Sequence, residues 1–349
     1  DTATTEIYTL SLHDALPILH VFCDNLASHL VNQVNKTGDD IGFFVPKQYV
    51  GRWGSRFYYR TVRNWNKFFL PCDSDVKVWH CAHQQTSYLP PRNVKMVLTV
   101  HDLNFLYEKP KYKHRRYLDA LQYRLDRADS VVAVSECTKR DLLKNMDLKG
   151  KYVEVIYNGL NFFEGDEMPP VVRPEGDFLF SVGTILPKKN FHVLPALLKG
   201  NDYKLIIAGN RSKYENDIMA EAQKWGVEDR VFIVGPVDEA VKYWYIRNCS
   251  AFLFPSISEG FGLPVIEAMY YGKPIFLSDH TALPEVGGPH AIYFNHEFEP
   301  NLMQKEFEEG LKLFKDGSKD QEKMIEHAQS FSWERTARRY LEKYRELSE

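Results

Sequence analysis

Apolar positions change period twice along this chain, and both changes divide it into similar halves. From Phe22 to Val34 they recur at helical spacing (Phe22, Leu26, Leu30, Val34), which predicts an amphipathic helix. Short apolar runs follow. Ile41 to Pro46, Val76 to His80, Val94 to Val100, Ser130 to Val134 and Tyr152 to Tyr157 read as strands, with a helix over roughly 111–128. Residues 47–75 are aromatic, basic and irregular and read as a surface excursion. Residues 160–176 carry Pro169, Pro170 and Pro174 among acidic residues and read as a linker. A second alternation begins beyond it. Strands over 178–182, 203–208, 231–234, 251–254 and 274–277 alternate with helices over 190–199, 213–225, 238–248 and 264–271. Strands that alternate with helices predict parallel sheets covered on both faces. The expected domains are 1–165, 166–330 and a last helix within 331–349 opened by Phe331-Ser332-Trp333. Two such halves predict a ligand in a cleft at the carboxyl ends of their strands.

Composition narrows the class. The chain has 349 residues, 44% hydrophobic and 26% charged, which excludes disordered and disulfide-scaffold classes. Lysine and arginine number 44 against 47 acidic residues, a net charge of −3 that gives no global reason to bind nucleic acid. Five scattered cysteines without CxxC spacing predict a reduced, cytoplasmic chain. No apolar run approaches the roughly 18 residues of a membrane span. No internal repeat is present. The first 18 residues stand apart. TTEIYTLSLHDALPI resembles translated sequencing-adapter read-through and lacks the basic start and apolar core of a signal peptide. It is expected to be non-native, and either poorly packed or placed as a first strand that supplies no glycine loop.

The densest chemistry lies between Phe254 and Ala268. A buried strand ends, Gly260 and Gly262 allow close backbone approach, and Pro264 favours a first helical turn. The N–H groups of that helix start suit a diphosphate. Glu259 in the loop can reach sugar hydroxyls, and Glu267 in the helix a ribose diol. A second loop, Val182 to Asn190, sets Lys188 and Lys189 at a helix start, where a cation neutralises a leaving diphosphate. His101-Asp102 follows the strand 94–100, and Asp102 either orients His101 or caps the next turn. Asp73-Ser74-Asp75 matches a metal-binding D-x-D pair, but it follows Pro71-Cys72 in the irregular stretch, so no metal is assigned to it. His80-Cys81-Ala82-His83 is read as structural for want of a second ligand cluster. Ser135 is read as a helix cap.

The Glu259-x7-Glu267 element, with Gly272-Lys273-Pro274 and Leu283-Pro284-Glu285-Val286-Gly287, resembles the donor site of retaining GT-B glycosyltransferases of family 4, the group that includes bacterial α-mannosyltransferases. The resemblance implies an α/β GT-B fold and sugar transfer from a nucleotide-diphosphate donor, GDP-mannose or a UDP-sugar. The acceptor is a hydroxyl of a glycan or lipid-linked glycan, as in lipopolysaccharide assembly, reached without metal or another cofactor. It implies His101, Glu259 and Lys189 as catalytic residues. It implies donor contacts from Gly183, Thr184, Lys188, Val237, Asp238, Gly260, Phe261, Gly262, Leu263 and Glu267. Thr184 stands where many members carry Arg, which leaves the usual two-cation clamp open, with Lys188 as the residue that could compensate. The implied location is cytoplasmic, peripheral to the inner face of the membrane. The alternatives are a nucleotide-sugar 2-epimerase-like enzyme and an impaired nucleotide-sugar binding protein. A dinucleotide oxidoreductase is disfavoured because no G-x-G-x-x-G follows an early strand.

Overall fold

The computed structural model describes residues 7–11, 17–68, 70, 72–163, 165 and 168–349. It divides into unit 1, Asp1–Gly159 with Ser332–Glu349, and unit 2, Leu160–Phe331. Unit 1 holds strands β1 (Ile7–Ser11), β2 (Asp40–Val45), β3 (Tyr58–Thr61), β4 (Val76–Cys81), β5 (Lys95–Val100), β6 (Ser130–Ala133) and β7 (Val153–Val155). They form one parallel sheet in the order β3-β2-β1-β4-β5-β6-β7. Its helices are α1 (Pro17–Thr37), α2 (Phe105–Glu108), α3 (Lys111–Arg127) and α4 (Glu136–Asn145), and α11 (Trp333–Ser348) closes the chain. Ser135 caps α4, accepting a hydrogen bond from the Thr138 N–H at 3.1 Å.

Two segments of unit 1 bear on the sequence reading. The irregular stretch 47–75 contains β3, an edge strand that needs only the β2 ladder and so carries little local signal. The segment expected to be non-native supplies β1. Of the two placements expected for it, residues 7–11 take the second. They pair with β2 on one side and β4 on the other, and Tyr8, Thr9, Leu10 and Ser11 are buried. Residues 12–16, where a glycine loop was not expected, lie outside the described residues.

Helix α11 packs on α1 and β4 within unit 1. A buried chain of hydrogen bonds holds it there. His80 Nδ1 meets Tyr344 Oη at 2.7 Å, His80 Nε2 meets Thr99 Oγ1 at 2.7 Å, and Thr99 Oγ1 meets Tyr340 Oη at 2.8 Å. The His80 and Tyr340 rings stack. At the rim, Lys343 pairs with Glu154 at 2.8 Å and Arg345 Nε bonds Asp39 at 3.1 Å. Burial pushes the His80 imidazole down to about 3. An unfolded histidine titrates near 6.5, so between those values the unfolded chain binds the extra proton. Stability is therefore full above about pH 6.5 and falls as the pH drops towards 3. The expected loss from His80 is ~2 kcal/mol between pH 7 and 5, since each pKa unit is worth about 1.4 kcal/mol. Urea unfolding of the full chain and of its His80→Gln variant at the two pH values checks this, and an equal pH dependence in the two contradicts it.

Unit 2 holds β8 (Phe178–Val182), β9 (Lys204–Ala208), β10 (Val231–Gly235), β11 (Ala251–Phe254), β12 (Ile275–Ser278) and β13 (Ile292–Phe294), all parallel, in the order β10-β9-β8-β11-β12-β13. Its α-helices are α5 (Glu215–Trp225), α6 (Glu239–Asn248), α7 (Leu263–Tyr270), α8 (Leu283–Gly287), α9 (Pro300–Lys315) and α10 (Gln321–Ser330). The helix predicted over 190–199 is a 3₁₀ helix, Phe191–Leu198. Pro195 lies inside it and has no N–H to donate to an α-helical ladder. The core of unit 2 lies between sheet and helices, built from Leu179, Leu205, Ile207, Leu253 and Phe276 against Phe191, Leu194, Ile218 and Phe307.

Candidate active site

The strand order of unit 2 has one reversal. The chain enters at β8, runs outward through β9 and β10, and returns to the other side of β8 as β11. The crevice outside the carboxyl ends of β8 and β11 is therefore the topological switch point, where open α/β sheets bind ligands. Both loops singled out in the sequence leave the sheet there. Lys189 follows β8 and Glu259 follows β11.

The first loop is set by backbone contacts between neighbouring strand ends. Gly183 N–H donates to Ala208 O at 2.9 Å, and Gly209 N–H to Gly235 O at 2.8 Å. Gly209 has φ +147°, and a Cβ there would lie 1.8 Å from the Gly183 carbonyl oxygen, so only glycine fits. Sequence reasoning passed over Gly209, because its contact exists only once β8 and β9 lie side by side. Thr184 follows half-buried. Lys188 and Lys189 end a short 3₁₀ turn that Asn190 closes with φ +57°. Lys188 O accepts the Ile257 N–H at 2.9 Å, which ties this loop to the one after β11.

The Lys189 side chain is buried and its ammonium forms an ion pair with the Glu259 carboxylate. The ammonium also lies 4.7 Å from the centroid of the Phe254 ring. Glu259 N–H donates to Thr281 Oγ1 at 2.9 Å, which fixes the loop to the end of β12. Gly260 follows half-buried, and Phe261 is buried with its ring edge against Phe331 at 5.5 Å. Gly262, at φ +110°, precedes Leu263, the first residue of α7, and Pro264 occupies its first turn.

One turn further, Glu267 is buried on α7. Lys242 of α6 lies 3.1 Å from its carboxylate and also pairs with Glu239 at 2.8 Å. Burial pushes the Glu267 carboxyl up, and Lys242 pulls against it. Lys242 was missed by sequence reasoning, since a lysine on an amphipathic helix usually serves a solvated face. Asp238 caps α6 by accepting the Val241 N–H at 2.9 Å, and Val237 before it is half-buried. Glu259, Lys189, Gly183, Thr184, Lys188 and the 260–263 turn thus gather at the switch point, whereas Val237 and Asp238 follow β10, two strands away.

In unit 1, His101 follows β5. Its Nε2–H donates to Ala82 O at 2.7 Å, which leaves Nδ1 unprotonated. Burial pushes its pKa down to about 3, so the ring is neutral at pH 7. Gln84, another residue the sequence did not flag, accepts the His101 N–H and donates to Asp102 O, both at 3.0 Å. Asp102 Oδ1 accepts the Asn104 N–H at 3.1 Å and so shapes the next turn. Asp73 is engaged by Arg60 at 2.8 Å and Tyr58 at 2.7 Å.

Two family models divide the chain between them. "Glycosyltransferase Family 4" matches residues 6–162, and "Glycosyl transferases group 1" matches residues 166–331, the part that carries the Lys189–Glu259 pair. The chain belongs to the GT-B glycosyltransferases. The O-antigen chain mannosyltransferase B of Escherichia coli is 27% identical over 293 residues, covering 76% of this chain and 74% of that protein. The O-antigen chain mannosyltransferase RfbU of Salmonella typhimurium is 28% identical over 218 residues, 61% of this chain, and the match spans only 60% of that relative's length. Among solved structures, Anabaena HepE in complex with UDP and glucose superposes with a TM-score of 0.67 at 14% identity, covering 98% of this chain and 100% of that one. That likeness establishes the shared GT-B fold. The glycine loop after β8, Lys189 and Glu259 therefore stand at one crevice of the second unit.

Proposed function

We propose that this glycosyltransferase moves mannose from GDP-mannose to a hydroxyl of a glycan or lipid-linked glycan, with retention of anomeric configuration and without metal. The observation that carries the reading is the Lys189–Glu259 pair at the switch point. Lys189 and the N–H groups at the start of α7 offer positive charge to a leaving diphosphate. Glu259 accepts hydrogen bonds from the transferred sugar, and Glu267 from the ribose. The neutral His101 serves turnover in unit 1. Attack on the same face, with the diphosphate oxygen taking the acceptor proton, needs no enzyme nucleophile and accounts for retention. Mannose and a lipopolysaccharide-type acceptor are supported by the two O-antigen mannosyltransferase relatives, and nucleotide-sugar binding by the UDP complex of HepE. No described helix is long and apolar enough to cross a membrane, and the proposed location is the cytoplasm, peripheral to the inner membrane face.

Incubation with labelled GDP-mannose and UDP-sugars, with and without lipid-linked oligosaccharide, tests the reading. Acceptor-dependent transfer from GDP-mannose without added magnesium or manganese supports it. Release of free sugar or of an epimer without acceptor replaces it with the epimerase-like alternative.

Lys189→Ala is expected to weaken GDP and GDP-mannose binding at least 10-fold, because the diphosphate loses its buried cation. Calorimetric titration checks this. Equal affinity in the two proteins removes Lys189 from the donor site.

A further inference from the structure

Beside the Glu259 loop, the residues that leave β12 and β13 converge. Ser278 and Phe294 are register partners at the ends of these neighbouring strands. Asp279-His280 and Asn295-His296 therefore emerge side by side, at the same sheet end as Glu259. Asp279, His280 and His296 bring one ligand atom each within 4.8 Å of the others. His296 Nδ1 lies 3.2 Å from Asp279 Oδ1, and His280 Nε2 lies 3.6 Å from the same oxygen. The two imidazoles stack at 4.1 Å with 11° between their planes, and the Phe298 ring lies parallel to that of His280 at 5.6 Å. Thr281 and Phe298, each following one of the two histidine loops, hold left-handed backbone conformations with φ +51° and +55°. Such conformations persist in non-glycine residues where the surroundings impose them.

Two imidazole nitrogens and one carboxylate oxygen make a donor set for zinc and its late first-row neighbours. Magnesium and calcium prefer oxygen alone. We propose that Asp279, His280 and His296 form a binding site for a divalent transition metal of the zinc class, and that the bound metal braces the loop carrying Glu259. His280 Nε2 donates to His296 O at 3.0 Å, and it becomes a ligand when the imidazole turns from that carbonyl towards Asp279 with its proton on Nδ1. The brace runs through the next residue. Thr281 Oγ1 accepts the Glu259 N–H, so fixing His280 restrains the hydrogen bond that positions the glutamate loop.

Isothermal titration of the metal-free full chain with zinc chloride tests the site, with magnesium chloride as the control. The expected result is one saturable zinc site per chain that His296→Gln and His280→Gln each weaken at least 10-fold, and no such site for magnesium. The chain has 12 histidines, so the comparison with the variants separates this site from weak surface binding. The His296 side chain is 70% exposed, so H296Q is expected to keep the wild-type unfolding midpoint in metal-free buffer. Amide exchange at Glu259 is expected to slow with zinc in wild type and not in H296Q. Absence of saturable zinc binding, or equal affinity in H296Q, overturns the site. Zinc that binds without slowing that exchange overturns the brace. No readout uses donor or turnover, so the outcome is independent of the sugar-transfer proposal.

Discussion

Glu259→Gln is expected to lower turnover by about 10²-fold, equivalent to about 2.7 kcal/mol of transition-state stabilisation. The substitution keeps the side-chain shape and the backbone hydrogen bond to Thr281, so the loop stays in place. It removes the negative charge, which matters most at a half-buried position beside a buried cation. It also leaves the Lys189 ammonium without its ionic partner. Without donor, the unfolding free energy of the variant is therefore expected to fall by about 1–3 kcal/mol. A diphosphate ligand supplies the missing counter-charge, so GDP should raise the midpoint of E259Q more than that of wild type. Turnover should not recover with it. Those two measurements separate a catalytic loss from a folding loss. Near-wild-type turnover in E259Q removes Glu259 from the reacting centre, whatever happens to the midpoint.

The pair at the centre of that prediction was legible because each partner sits in a loop with its own local signature. Strands buried on both faces read as apolar runs, and β8 and β11 occupy the residues expected of them. A glycine-bearing loop then follows each, with Lys189 in one and Glu259 in the other. What the sequence does not carry is adjacency. That Gly209 must be glycine depends on the Gly183 carbonyl at the end of the neighbouring strand, and that Lys242 meets Glu267 depends on how α6 packs on α7. Gln84 shapes the His101 turn through contacts across two strands in the same way. The metal-ligand geometry of Asp279, His280 and His296 is of this kind as well. Sixteen positions separate the two histidines, and only the β12–β13 register joins them.

The same distinction explains the elements that were misread. β3 is a sheet edge held by one ladder, and Tyr58–Thr61 has no strong apolar run, whereas β13 lies in the apolar run Ala291 to Phe294 that the alternation passed over. The helices α8 to α10 follow the last strand that the alternation predicted, where no further strand-helix rhythm marked them. β1 is the opposite case. Its five residues carry no strong apolar run, yet it holds a middle position in the sheet, because pairing on both sides is a property of topology and not of a short segment.

Leu10→Asp is expected to abolish cooperative folding of unit 1, a loss of more than about 4 kcal/mol. Leu10 is 1% exposed, and its strand carries hydrogen-bonded neighbours on both sides, Phe43 in β2 and His80 in β4. A carboxylate buried there loses its hydration, and the strand cannot turn outward without losing two ladders at once. The register matters further because His80, opposite Leu10, anchors α11 through Tyr344 and Thr99. Displacing β1 therefore loosens the docking of α11 as well as the sheet. Leu10→Ala serves as the graded control. It removes apolar contact without burying charge, and its expected cost is about 2–5 kcal/mol, that of other buried leucine truncations. Circular dichroism and urea titration of both variants read the effect. If L10D unfolds with the midpoint of wild type, residues 7–11 contribute no stability to the sheet, and the segment behaves as the foreign sequence its composition resembles. If L10D collapses while L10A keeps a cooperative but weakened transition, the fold of unit 1 depends on that strand, whatever its origin.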